Sequence, residues 1–352
     1  FRQEQNIERN DWKRPFRYMR QRFYHLCEFT DLVPGTHYEV RFFRHVDSVA
    51  GVMPDYWQDL RSGYFDTLPA RIPAVGEKPF VIGLGSCFYR NRDGGHASSV
   101  YKALYVRGPD SGRPHVTFLE GEQVYLDIRF DSLSMISSEI RQRIADDYAE
   151  NWRSLGSFLN RGATWMLPDD HEFWNDYPFY DSPLPTLLAL KIDSVRRAWT
   201  KAAKDAVDNI QRAKPVDIFS IGDDLSVCDA DLRSYRNKHR FIPAPDFARI
   251  TEWAKGLQSP GVLVVPQPLI VEENKTERNL LSWPQQYGEL VKALASSGHD
   301  IVLLSGDVQF GRIATAPLGD KGGRLIEVIA SPLSNLTGFK GLATALWKNN
   351  PK

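Results

Sequence analysis

What the chain lacks narrows the field first. No apolar run approaches the roughly 18 residues of a membrane-spanning helix, so no transmembrane segment is expected. Its 352 residues include only three cysteines, Cys27, Cys87 and Cys228. That odd number cannot close a disulfide framework and leaves at least one free thiol. Neither sign of charge dominates: 44 basic and 44 acidic residues cancel. The long-range field that would draw in nucleic acid or an anionic membrane is therefore missing, and no nucleic-acid-binding patch is expected. There is no internal repeat and no low-complexity tract. The opening FRQEQNIERNDWKRPFRYMRQ contains no apolar h-region, so no signal peptide is expected in this stretch, and the compartment is left open.

What is present reads as a globular α/β chain with 12% aromatic and 25% charged residues. Residues 22–68 hold three aromatic-rich runs, "FYHLCEF", "HYEVRFFRHV" and "SGYFDTL", separated by the turn-formers "LVPGTH" and "SVAGVMPDY". Such runs predict strands of a small sandwich. We expect residues 1–70 to form a β-sandwich-like domain, 71–78 a Pro- and Ala-containing linker, and 79–352 a second, larger domain. From residue 79 onward apolar strands alternate with helical segments. The strands are "PFVIGLGSCF", "HVTFLEGEQVYLD", "RGATWMLPDDHEFWNDYP", "VDIFSIG", "VLVVPQPL", "HDIVLLSGDVQFG" and "GRLIEVIASPL". Helical periodicity is present near 134–158, 186–213 and 285–297. This alternation predicts a layered α/β domain with ligands outside the carboxyl ends of the strands.

Those strand ends carry the chemistry. Cys87 ends one strand; Glu122 and Tyr125 follow the next; Asp169, Asp170 and His171 follow a third; Asp307 and Gln309 follow another. One carboxylate after a strand is commonly a cap or a turn residue. Thiolate, carboxylate, phenolate and imidazole donors in ordered succession suit a binuclear metal centre that activates water against a phosphate ester. An arginine fork would complement the phosphoryl oxygens, and Arg90, Arg92 and Arg233 are candidates.

The stretches "LVPGTHYEVRF", "FDTLPA", "GLGSCF", "GEQVYLD", "PDDHEFWND", "ADLRSYR", "LLSGDVQFG" and "IEVIASPLS" together resemble the alkaline phosphatase D (PhoD-like) family, in order and over nearly the full length. The resemblance implies an N-terminal β-sandwich and a calcineurin-like metallophosphoesterase domain, an αββα layered sandwich. It also implies hydrolysis of small-molecule phosphate mono- or diesters by metal-activated hydroxide, with iron and calcium as cofactors. Residue by residue, it implies that Cys87 and Tyr125 are iron ligands and that Asp170 stands where relatives place the Asn or Asp of a "GNH" motif. His171 would then be the proton donor, Asp307 an acidic ligand, and Asp231 and Arg233 part of a "D-x-R" stretch lining the site.

Two positions depart from the family pattern. Glu122 replaces the Asp of "GDQVY", and its extra methylene carries the oxygens roughly 1.5 Å further. Gln309 replaces the His of "GDVH"; its amide carbonyl suits calcium but is a poor substitute for imidazole on iron or zinc. These departures leave an altered metal preference or a catalytically impaired binding module as alternatives. Asp223, Asp224, Asp229 and Asp231 crowd around Cys228 without EF-hand spacing, and read as a solvated loop beside a packing cysteine.

Overall fold

The computed structural model describes residues 2–13, 24–107, 112–127, 134–181, 185–272 and 278–334. Two strands, β1 (His37–Val46) and β2 (Tyr56–Asp66), form an antiparallel hairpin with a register shift at Phe42/Phe43. The expected earlier strand "FYHLCEF" is not seen over its described residues 24–29, where only an isolated bridge joins Tyr24 to Lys13. The hairpin is tied to the rest of the chain through Tyr64, whose N–H donates to Asn160 O at 2.9 Å and whose carbonyl accepts from Gly162 N at 2.6 Å.

The remaining strands build two sheets. One contains β3 (Ile82–Gly85), β4 (Val116–Glu120) and β5 (Ala163–Leu167), all parallel, in the order β3-β4-β5. The other contains β6 (Val216–Ile221), β7 (Leu225–Ala230), β8 (Gly261–Val264), β9 (Ile301–Ser305), β10 (Arg312–Leu318) and β11 (Gly323–Ile329). Its order is β10-β11-β9-β8-β7-β6, with β7, β8, β9 and β11 parallel and antiparallel strands at both edges.

Alternation along β4 explains the layering. Val116 and Phe118 pack against Val227, Val262, Val264 and Leu304 of the facing sheet. Leu119 points the other way, into a cluster with Phe88, Tyr101, Tyr105, Leu155 and Phe158. That second cluster lies under the helices α2 (His96–Val106), which supplies Tyr101 and Tyr105, and α4 (Gly156–Leu159), which supplies Phe158; α1 (Arg90–Asp93) precedes α2, and α3 (Ser137–Ser154) leads into α4. α5 (Asp193–Ala206) packs on α3, while α6 (Ala244–Gly256) and α7 (Pro284–Ala295) cover the outer face of the larger sheet. Each fully buried Leu or Phe in these layers contributes roughly 1.5–3 kcal/mol. The result is a helix–sheet–sheet–helix sandwich, as the α/β reading expects.

One expectation fails in part. Asp223 and Asp224 lie in an exposed turn, as a solvated loop predicts, but Leu225–Ala230 is a strand flanked by β6 and β8, and Asp229 and Asp231 are buried. Pairing on both edges draws the carboxylates inside, and burial pushes the Asp229 carboxyl well above its ordinary range, with Asp217 and Asp231 adding to the effect. Cys228 is fully buried, as its reading as packing predicts.

Candidate metal centre

The carboxyl ends of β3, β4, β5, β7, β8, β9 and β11 open on one side of the sandwich, and the loops after β3, β4 and β9 are strained. Cys87, Glu122, Asp307 and Gln309 all adopt left-handed backbone angles, with φ of 58°, 58°, 66° and 54°. For non-glycine residues each such conformation costs about 1–2 kcal/mol, and such strain concentrates at functional sites. Neighbouring glycines allow the loops to close on each other. A Cβ at Gly121 would lie 2.4 Å from Asp169 Cβ, and one at Gly306 would lie 2.4 Å from Ser86 and 2.7 Å from Glu120 O.

These turns bring together four carboxylates. One oxygen from each of Glu122, Asp169, Asp170 and Asp307 lies within 4.8 Å of every other, and all four residues are buried. His171 meets the same spacing with Glu122 and Asp170. Tyr125 OH donates to Glu122 Oε2 at 2.6 Å, and Gln309 Nε2 lies 3.5 Å from the Tyr125 oxygen. Burial, then the charges of Glu122 and Cys87, raise the Tyr125 phenol well above its usual range. The Cys87 sulfur lies 3.6 Å from Asp307 O and 3.0 Å from Ser331 Oγ. Cys87, Glu122, Tyr125, Asp170, His171, Asp307 and Gln309 therefore converge from separate loops.

The arginines have other engagements. Arg233 is buried, with Nε donating to Asp169 Oδ1 and Nη1 to Tyr177 O at 2.9 Å. Burial works against its charge, but Asp169 and Asp170 outweigh it and raise its pKa. Asp231 shapes the turn that delivers Arg233: its Oδ1 accepts the N–H groups of Arg233 and Ser234, each at 2.8 Å. Arg90 lies 2.5 Å from Glu150 of α3. The side chain of Arg92 lies outside the described residues.

Several residues in and around the cluster make contacts that the sequence does not specify. Asp169 is the nearest; its Oδ2 is buried without a hydrogen-bond partner. Burial, together with Asp307 and Asp170, raises the Asp169 carboxyl against the pull of Arg233. Gln267, just past β8, donates from Nε2 to Asp307 Oδ2 at 3.0 Å while its Oε1 accepts from Arg236 at 2.8 Å. Burial, then the charge of Arg233, lowers Arg236 to about 9. Glu172 binds the β4 and β5 loops together. It accepts the backbone N–H of Glu122 (2.9 Å), Gln123 (2.7 Å), Val124 (3.3 Å) and Asp169 (2.9 Å), and the Nε2 of Gln211 (3.1 Å). Asp127 lies 2.7 Å from His171 Nδ1. Asp127 and Gln267 follow apolar strands, the same signal that picked out Asp169, Asp170 and Asp307.

Crowding four buried carboxylates is unfavourable without positive charge among them. The oxygen donors, four carboxylates and a phenol with one carboxylate oxygen lacking a partner, fit hard cations, while the Cys87 thiol alongside is a softer donor. Two facing sheets with helical outer layers carry this acidic cluster at their strand ends. No family model matches the chain, and no curated protein matches its sequence. Among solved structures the chain is similar to that of PhoD, with a TM-score of 0.60 at 14% identity over 86% of its length. It is also matched to a purple acid phosphatase, PPD1, from yellow lupin (Lupinus luteus) seeds, with a TM-score of 0.49 at 13% identity over 85% of this chain and 50% of that one. The chain spans 63% of the PhoD chain, and at this identity it is the fold that is shared.

Proposed function

We propose that this chain is a metal-dependent phosphoesterase acting on small-molecule phosphate mono- or diesters. The observation that carries the reading is the buried meeting of Glu122, Asp169, Asp170 and Asp307 at the strand ends of this fold. These four carboxylates would hold the cations, with Cys87, Tyr125 and Gln309 beside them; iron and calcium are the metals that the family resemblance implies. Cations held there lower the pKa of bound water and neutralise the phosphoryl oxygens.

The remaining groups orient and move protons. Arg233 fixes Asp169 in place. Asp127 accepts from His171 Nδ1–H, which leaves Nε2 directed inward, 3.7 Å from Glu122 Oε1. Burial opposes protonation of His171, but Asp127, Asp170 and Glu122 raise its pKa well above the ordinary value. With Nδ1 held by Asp127 and Nε2 toward the cluster, His171 is placed to pass a proton to the leaving oxygen.

The test is turnover of p-nitrophenyl phosphate and bis-p-nitrophenyl phosphate by metal-stripped protein reloaded with iron, calcium or other divalent ions. Release of p-nitrophenol that is lost in Asp307→Asn supports the reading. Folded, metal-loaded protein that hydrolyses neither ester would leave the binding-module alternative suggested by Glu122 and Gln309.

A further inference from the structure

We infer that Ser331 is the positioning residue for the Cys87 sulfur, acting as a clasp between the β3 and β9 loops. Ser331 follows β11, and its buried hydroxyl has two partners of different kinds. Gln309 N–H donates to Ser331 Oγ at 3.1 Å, and a backbone N–H can only donate. The serine's own proton is thus left for its second neighbour, Cys87 Sγ at 3.0 Å. Ser86 Oγ is farther from the sulfur, at 3.5 Å, and is shared with Ala330 O at 3.3 Å.

The two residues that Ser331 joins are both strained. Cys87 and Gln309 each sit in the left-handed region, so the surrounding structure must hold them there. The segment after β11 is well placed to do so. Leu333 N donates to Ser86 O at 2.8 Å and Ser334 N to Cys87 O at 3.2 Å, while Phe88 bridges to Ser334. These backbone bonds align the Cys87 loop. At 3.0 Å, against 3.5 Å for Ser86 Oγ, the Ser331 hydroxyl is the shorter of these two side-chain contacts to the sulfur, and it ties the sulfur to Gln309 across the site. A hydrogen bond of this kind to a metal ligand sets the ligand's orientation and its affinity for the ion.

Two measurements test the clasp, and only the second depends on the metal reading above. The first is native-state alkylation of metal-free protein with iodoacetamide, followed by mass spectrometry. Cys228, buried in β7, serves as the internal reference. Ser331→Ala should raise the Cys87 rate about fivefold, the population shift from losing one ordinary hydrogen bond, with Cys228 unchanged. Ser331→Thr should stay near wild type while Ser331→Val, of the same shape without the hydroxyl, behaves like alanine. An unchanged Cys87 rate in Ser331→Ala and Ser331→Val, or Cys87 and Cys228 rising together, overturns the inference.

The second measurement is calorimetric titration with ferric ion under a chelating buffer. Affinity should fall about tenfold or more in Ser331→Ala and recover in Ser331→Thr. Equal affinity in all three proteins overturns the inference. A wild type that binds no cation instead defeats the proposed function, and the alkylation comparison still decides the role of Ser331.

Discussion

His171 Nδ1 lies 2.7 Å from Asp127 Oδ1, and both side chains are buried. The second carboxylate oxygen of Asp127 accepts the Asn175 N–H at 2.9 Å, so the carboxylate is anchored to the loop that follows β5. The pairing fixes which ring nitrogen carries hydrogen and turns Nε2 toward the acidic cluster. Asp127→Asn should therefore lower kcat about a hundredfold with little change in KM, the size expected when a proton donor loses its orienting partner. Steady-state kinetics with an aryl phosphate measure it. A loss confined to KM would place Asp127 in substrate binding instead.

Glu172 accepts five hydrogen bonds, four of them from backbone N–H groups of the two loops that carry Glu122 and Asp169. Removing the carboxylate leaves those buried donors without their acceptor. Glu172→Ala should destabilise the protein by roughly 3 kcal/mol or more, read as a lower urea midpoint at unchanged m-value. A change below about 1 kcal/mol would mean that water replaces the carboxylate there.

The same buried acids give the metal-free protein a definite pH dependence. Burial, opposed by the backbone bonds from Asp169 and Glu122, brings Glu172 up to about 7 from an ordinary 4.5. Burial, opposed by Arg278, brings Asp176 up to about 6 from 3.8. Between the unfolded and folded values the folded chain binds more protons than the unfolded chain. Stability from these groups is thus greatest below the unfolded values and declines as pH rises through the folded ones. Urea midpoints of stripped protein should fall between pH 4.5 and 7, and added calcium should flatten that slope by neutralising the cluster. A midpoint that rises over the same range would contradict this balance.

The sequence made the strand-end chemistry legible because each ligand-type residue follows an apolar run. Cys87, Glu122, Asp170, His171, Asp307 and Gln309 are all identifiable in this way. It was less informative where tertiary pairing overrides local composition. β7 reads as polar from its aspartates, yet β6 and β8 enclose it. α6 lies outside the stretches that read as helical, although Phe247, Ile250, Trp253 and Ala254 mark its buried face at helical spacing. α2 buries only Tyr101 and Tyr105, too thin a stripe to stand out. Arg233 looked like a free phosphate fork because nothing local announces its partner, Asp169, 64 residues away. Glu172 was hidden for a related reason, since its partners are backbone N–H groups, which leave no trace in side-chain type.

The account rests on cations being what holds the four carboxylates together, and metal content per chain tests that most directly. Protein stripped with chelator, reloaded with iron and calcium and then desalted should retain at least one equivalent by elemental analysis. Asp169→Asn and Asp307→Asn should each retain clearly less. Wild-type protein, folded by circular dichroism, that emerges from reloading with no bound metal would contradict the account.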